Sequence, residues 1–259
     1  ILRVDESGER IPLTICDYNR EKGTVTIVFQ EVGVSTHKLA QYQTGDSICD
    51  FVGPLGNPTD LLAEKKEDLK KKNIIFIAGG VGTAPVYPQV KWLKEQGIGV
   101  DVIVGAKSRD FLILQKEMQE VSQNLYVATD DGSFGTEGMV TDVLKNLVEN
   151  GQKYDLCVAI GPLVMMKFVC ILTEELHIPT TVSMNPIMVD GTGMCGACRL
   201  DVGEQTKFAC VDGPEFDGHK IDFDAVMKRQ QMYKPMETAA MHKHKCTRPG
   251  GCQCGGEHK

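Results

Sequence analysis

No stretch of this 259-residue chain approaches the roughly 18 consecutive apolar residues that a membrane-crossing helix requires, so nothing in it is expected to span a bilayer. Its start also lacks the basic segment, apolar stretch and cleavage site of an export signal, and a cytoplasmic location is the expectation by default. Basic charge is not in excess: 28 Lys and Arg stand against 35 Asp and Glu, a net of -7, which argues against broad nucleic-acid binding. The chain opens "ILRVDESG" without an initiator Met and with alternating apolar residues, as if entering a strand already under way; an N-terminal piece is expected to be absent.

Cysteine, by contrast, is plentiful. Ten of them, in a chain without an export signal, point to metal ligation or redox chemistry more than to a disulfide framework. Hydrophobic residues at 42% and charged residues at 24% are the proportions of an ordinary globular protein, and the length suits two compact units with a small appendage.

From residue 1 to about 68, short apolar runs separated by turns ("RIPLTICDY", "GTVTIVFQEV", "DSICDFVGPLGNP") predict antiparallel strands forming a small β-barrel. From 69 to 184 the rhythm becomes strand then helix: "NIIFIAGG" and "APVYPQVKWLKEQG", "GVDVIVGA" and "LILQKEMQEVSQ", "NLYVATDDG" and "GMVTDVLKNLVENG", "YDLCVAIG" and "LVMMKFVCILTEEL", and lastly "TTVSMN". That alternation predicts a doubly wound α/β domain with a mostly parallel sheet. The periodicity stops at residue 185. The segment 185–235 is rich in Gly, Asp and Cys and is expected to depend on what it binds, with one helix over "FDAVMKRQQMYK". The tail, 236–259, reads as a flexible extension. Its Cys246, Cys252 and Cys254, with His242, His244 and His258, have metal-binding composition, but an unliganded tail is the reading adopted.

The turn "GGVGTAP" (Gly79, Gly80, Val81, Gly82, Thr83, Ala84, Pro85) follows a strand and precedes a helix. Bare backbone amides and a helix N-terminus there suit a phosphate. Pro85 stands where G-x-G-x-x-G has its last glycine, so a tight βα turn without ligand is the competing reading. Gly105, the "DDGSFG" turn (Asp130, Asp131, Gly132) and Gly161 with Pro162 also fall at carboxyl ends of predicted strands, the edge where open α/β sheets bind ligands. Together they predict a dinucleotide site. Lys107 and Arg109 could meet a 2′-phosphate and Asp110 could disfavour one, leaving NAD(H) against NADP(H) open.

Cys195 and Cys198 lie two residues apart among glycines and Cys210 follows, spacing that suits an iron-sulfur cluster whose sulfurs accept amide hydrogen bonds. Asp190 stands before Cys195 with four residues between them, where the C-x4-C-x2-C spacing of plant-type centres has its first thiolate. It is the candidate fourth ligand; a turn-forming Asp-Gly, with the ligand drawn from elsewhere, is the alternative. Zinc is the alternative for the whole set. Cys16, Cys49, Cys157 and Cys170 read as buried packing residues.

Through "GERIPLTI", "VFQEVGVSTHKLA", "AGGVGTAPVYP" and "SMNPIMVDGTGMCGACRL", the chain from Ile1 to about Tyr233 resembles the ferredoxin-reductase-like electron-transfer subunits. That family includes subunits of dihydroorotate dehydrogenase and of the electron-bifurcating NADH-dependent reduced ferredoxin:NADP oxidoreductases, and the resemblance is greater to the latter. It implies an FAD in the barrel beside Ile11, Pro12, Leu13, Thr14, Ser35 and Thr36, with backbone from Ile27, Val28 and Phe29. It further implies a 2Fe-2S cluster on Asp190, Cys195, Cys198 and Cys210, dihydroorotate-type relatives having Cys in place of Asp190. By the same resemblance the chain is an oxidoreductase subunit without a catalytic acid or base: hydride is exchanged between NAD(H) and FAD, and electrons leave singly through the cluster to a larger flavin and iron-sulfur subunit in a heterodimer, which deals with ferredoxin. The competing assignments are a dihydroorotate dehydrogenase electron-transfer subunit and a non-catalytic, zinc-stabilised interaction module.

Overall fold

The computed structural model describes residues 1–247. The N-terminal region holds β1 (Leu2–Arg3), β2 (Arg10–Ile11), β3 (Ile15–Asn19), β4 (Thr24–Ile27), the short helix α1 (Val34–Leu39) and β5 (Asp50–Phe51). Strands β2, β1 and β5 form one antiparallel sheet, and β3 with β4 a separate hairpin. The antiparallel strands are as expected, but these five are not hydrogen-bonded into one closed sheet. Their inward side chains form a small core of Leu2, Val4 and Leu39 with Ile11, Leu13, Ile27, Phe29, Tyr42 and Ile48 packed around it.

The next part alternates as the periodicity predicts: α2 (Lys66–Leu69), β6 (Ile74–Gly79), α3 (Thr83–Glu95), β7 (Asp101–Ala106), α4 (Gln115–Val121), β8 (Asn124–Thr129), β9 (Thr136–Glu137), α5 (Val140–Glu149), β10 (Leu156–Ile160), α6 (Leu163–Glu175) and β11 (Thr180–Ser183). Beyond it come β12 (Arg199–Val202), β13 (Gln205–Phe208), β14 (Glu215–Asp217), α7 (Phe223–Gln230) and α8 (Lys234–Thr247). The main sheet has seven strands in the order β14-β11-β10-β6-β7-β8-β9, parallel throughout except for β14 against β11. Central β6 is buried at every residue, as a parallel strand covered on both faces must be. Alternate side chains feed two cores: Ile75, Ile77 and Ile103 with α5 and α6 on one face, Phe76, Val102 and Val104 with α3 on the other.

The chain order reverses at the β6–β10 seam, since β6 runs on to β7 on one side and β10 to β11 on the other. Such a seam opens a crevice at the carboxyl ends of the strands. The Cys-rich segment from residue 185 packs on the α/β part: Cys198, Leu200, Ala209, Cys210, Phe223 and Val226 belong to the same core as α5 and α6, and its strand β14 extends the main sheet beside β11.

Two expectations need correcting. The tail from residue 236 is helical as far as Thr247, because "METAAMHKHK" is rich in helix formers and has no glycine, and α8 rests on α1, where the His37 and His244 rings stack at 6.2 Å. Cys252, Cys254 and His258 lie outside the described residues. Cys49 is exposed rather than packed, its sulfur 3.5 Å from Arg3 Nη2, whereas Cys16, Cys157 and Cys170 are buried as expected.

Candidate functional site

The glycine turn after β6 lies in the crevice. Gly79 ends β6, Gly80 has φ of +54°, and Thr83 Oγ1 donates to the Gly80 carbonyl at 2.9 Å, closing the turn as α3 begins. A Cβ on Gly82 would collide with the Ile160 carbonyl and stand 2.9 Å from Gly161 Cα; one on Gly161 would stand 3.1 Å from Gly79 Cα. Gly79, Gly82 and Gly161 thus let two strand ends and a helix N-terminus meet with nothing between them. Pro162 touches the same spot, its Cδ 2.9 Å from where a Gly79 Cβ would be. Val81 is exposed at the mouth, and Ala84 and Pro85 form the first turn of α3, where a proline loses no helical hydrogen bond.

The other expected nucleotide residues spread along the same edge. Gly105 pairs with Gly79 in the sheet, and its missing side chain makes room for Val140. Asp130, Asp131 and Gly132 follow β8. Ser133 Oγ donates to Asp131 Oδ1 at 2.5 Å and accepts from the Arg109 amide at 2.8 Å, tying this turn to the loop after β7. The Ser133 hydroxyl and amide hold the Asp131 carboxyl below its ordinary range. Arg109, a candidate for a 2′-phosphate, lies over the Phe134 ring at 5.6 Å. The Ser133 link is a feature that composition alone did not single out.

In the N-terminal region, Ile11 ends β2 and Pro12, Leu13 and Thr14 lead into β3, while Ile27 ends β4 with Val28 and Phe29 just beyond. Ile11, Leu13, Ile27 and Phe29 pack on the small core, so the alternation turns Pro12, Thr14 and Val28 the other way. Ser35 and Thr36 lie in the first turn of α1. The Thr36 hydroxyl accepts from the amides of Val32 and Gly33, each at 3.0 Å, and donates to the Gly33 carbonyl at 2.9 Å. Its role is thereby a helix cap, a use that the sequence reading did not foresee.

The ligand candidates fall into two pairs. Cys198 and Cys210 are buried, with sulfurs 3.2 Å apart, near the ~3.8 Å expected of two thiolates on one tetrahedral metal with bonds of about 2.3 Å. Burial, then the adjacent Cys198, push the Cys210 thiol up to about 11. Cys195 is exposed, and the Ala197 amide, followed by the Asp190 amide, draws its thiol below the ordinary value. Asp190 Oδ2 accepts from the Thr192 hydroxyl, from the Thr192 amide at 2.9 Å and from the Met194 amide at 3.3 Å. These bonds, with Arg10 Nη1 at 3.6 Å from Oδ1, hold the carboxyl below its usual range, so it is ionised at neutral pH. Among the described residues no three His, Cys, Asp or Glu side chains are gathered tightly enough to enclose a metal ion. What is present is a buried thiol pair beside an anionic carboxylate and an amide-solvated thiol, a donor set that fits two irons more naturally than one zinc.

The Asp190–Arg10 contact sets the ligating turn against the strand leading into Ile11–Thr14. The same closeness appears at Gly191, where a Cβ would meet Ile1 and Leu55. Across the other interface Lys91 Nζ on α3 bonds Asp17 of β3 at 2.8 Å. The N-terminal strands are thus in contact with the Cys-rich turn on one side and with the body of α3, the helix that begins at the glycine crevice, on the other.

An NAD-binding α/β domain joined to an iron-sulfur segment defines an oxidoreductase that handles electrons as part of a redox complex, and the comparisons agree. Residues 76–171 match the oxidoreductase NAD-binding domain, and residues 185–222 the iron-sulfur cluster binding domain of dihydroorotate dehydrogenase B. The chain belongs to the family of dihydroorotate dehydrogenase B electron-transfer subunits and their homologues. It is 47% identical to the electron-transfer subunit homolog of Thermotoga maritima, over 92% of this chain and 81% of that one. An uncharacterized protein from the adh 3′ region of Clostridium beijerinckii is 58% identical over 99% of this chain and 88% of its own length. A solved structure of NADH-dependent reduced ferredoxin-NADP oxidoreductase, described for flavin-based electron bifurcation, is 45% identical with a TM-score of 0.85, covering 94% of this chain and 85% of that one. No described helix is long and apolar enough to cross a membrane.

Proposed function

We propose that the chain is the NADH-side electron-transfer subunit of an NADH-dependent reduced ferredoxin:NADP oxidoreductase, with residues 1–68 holding FAD in a barrel-like site, 69–184 holding the nicotinamide dinucleotide and 185–235 holding a 2Fe-2S cluster. The contact between Asp190 and Arg10 carries this reading, because it joins the ligating turn to the strand of the flavin segment.

When bound, FAD and the cluster supply hydride acceptance and one-electron relay, chemistry that side chains lack. The protein's part is placement. Gly79, Gly80 and Gly82, with the α3 amides, receive a pyrophosphate in the crevice, where helix dipole and bare backbone favour an anion. Gly161 and Pro162 shape the far wall; Asp130, Asp131 and Gly132 border the ribose end, with Asp131 kept anionic by Ser133. The likeness to the NADH-dependent reduced ferredoxin-NADP oxidoreductase favours NADH in this crevice. Pro12, Thr14, Val28 and Ser35 border the flavin. Asp190, Cys195, Cys198 and Cys210 ligate the irons, with the Ala197 amide turned to the Cys195 sulfur. No side chain is asked to move a proton.

Electrons leave to a larger flavin and iron-sulfur subunit in a cytoplasmic heterodimer, where ferredoxin and NADPH are handled. The matches to dihydroorotate dehydrogenase subunits favour that enzyme as a second reading. Anaerobic copurification identifies the partner, and counts of flavin, iron and sulfide with stopped-flow bleaching by each nucleotide complete the test. Faster bleaching by NADPH, or a dihydroorotate-oxidising partner, refutes the first reading.

A further inference from the structure

The turn that carries Cys195 and Cys198 is gripped from outside by two arginines. Arg229, in the last turn of α7, donates from Nη2 to the Ala197 carbonyl at 3.1 Å, and Arg199, the first residue of β12, donates from Nη1 to the Gly196 carbonyl at 3.4 Å. The Arg199 amide reaches the same Gly196 oxygen, also at 3.4 Å, and the Ala209 amide takes the Cys198 carbonyl at 3.2 Å. Three successive carbonyls are therefore bonded away from the thiols. Both guanidinium groups line one cleft of about 150 Å³ between β12 and α7. The neighbouring residue on α7, Gln230, donates to the Asn185 carbonyl at 2.8 Å, so this helix holds the ligating segment near both of its ends.

The helix is itself firmly placed. Phe223 and Val226 are buried in the core that contains Cys198 and Cys210, and Asp222 caps the N-terminus by accepting from the Ala225 amide at 2.9 Å. In a planar trans peptide the C=O and the following N–H point in opposite directions. Drawing the Gly196 carbonyl outward therefore turns the Ala197 amide inward, where it meets the Cys195 sulfur. Drawing the Ala197 carbonyl outward does the same for the Cys198 amide.

We propose that Arg229 and Arg199 are positioning residues for the cluster: by holding these two carbonyls they keep the Ala197 and Cys198 amides on the sulfur side of the turn, and with their charge they raise the cluster's reduction potential. The inference rests on Asp190, Cys195, Cys198 and Cys210 holding the 2Fe-2S cluster. Amide hydrogen bonds and nearby positive charge both stabilise the reduced, more anionic state. Arg229, the more buried of the two, is expected to have the larger effect.

The test is an EPR-monitored redox titration of the anaerobically prepared complex, with iron and sulfide counted in each sample. Arg229→Leu is expected to retain the cluster, alter its g values and lower the reduced-to-oxidised ratio at the wild-type midpoint by about tenfold, a shift of ~59 mV for one electron. Arg229→Lys, which keeps the charge without the planar fork, is expected to fall between the two, and Arg199→Leu to shift the same way by less. If Arg229→Leu fails to hold iron, Arg229→Lys and Arg199→Leu provide the same readout. Variants with full iron and wild-type midpoints and g values overturn the positioning role. Wild-type complex without iron and sulfide overturns the cluster reading instead, and the inference with it.

Discussion

Gly82→Ala tests the crevice directly. The φ of Gly82 is -62°, so alanine is not strained by its own backbone; the obstacle is space. The added methyl would meet the Ile160 carbonyl oxygen, with Ile160 C at 2.8 Å and Gly161 Cα at 2.9 Å. All three are backbone atoms of β10 and the turn after it, which no rotamer change can clear. The start of α3 must move away from β10, widening the seam in which the pyrophosphate is proposed to lie. Overpacking of this kind costs about 1–3 kcal/mol, and if binding must recompress the seam, NADH affinity falls roughly 5- to 140-fold. Isothermal titration with NADH of the flavin-loaded complex, fully reduced beforehand and kept anaerobic so that no hydride can pass, measures this. Gly97→Ala is the control: Gly97 follows the other end of α3 at φ of +72° with nothing within 4 Å of its would-be Cβ, so it costs stability without touching affinity. A Gly82→Ala protein that is folded and binds NADH within twofold of wild type refutes the argument.

Tyr154→Phe removes the donor that meets buried Asp101 Oδ2 at 2.8 Å, leaving only Asn124 on the other oxygen; a loss of about 2 kcal/mol and roughly 4–8 °C in Tm is expected by calorimetry. Thr36→Val removes the hydroxyl that caps α1 and is expected to cost about 1 kcal/mol, read in the same way, with flavin retention falling as well. Burial raises the pKa of Glu215, which accepts from Gln89 at 2.7 Å beside a buried Gln89 Oε1 that has no hydrogen-bond partner. For a carboxyl raised on folding, stability is whole below the unfolded pKa and declines as pH rises through the folded one. Glu215→Gln, whose amide also brings a donor for Gln89, is therefore expected to raise Tm by about 2–4 °C at pH 7 and by less toward pH 4. A gain that grows as pH falls contradicts the assignment.

The main sheet could be read in advance because each βα unit announces itself: β6 as a six-residue apolar run, α3 by its spacing and the glycine after it. The N-terminal strands were harder, since β1, β2 and β5 are only two residues each and their pairing is non-local. Strand β14 could not be read either, because "EFD" is too short for periodicity and gains its place only by pairing with β11. In the site, glycines and cysteines show in the sequence because their chemistry is local. Arg229 does not: it lies 32 residues from Ala197, and only the fold of α7 brings the two together. Thr36 shows a second, structural use that composition did not reveal: its hydroxyl also closes the first turn of α1.

The central claim is that Asp190 and three thiolates hold two irons against the flavin segment. EPR of the dithionite-reduced, anaerobically purified complex, with Asp190→Ala beside wild type, tests it most directly. The account predicts about two irons and two sulfides for this site beyond those of the partner subunit, a rhombic reduced 2Fe-2S component in the spectrum, and the loss or marked alteration of that component on Asp190→Ala. Zinc in place of iron, or an identical signal from both proteins, contradicts it.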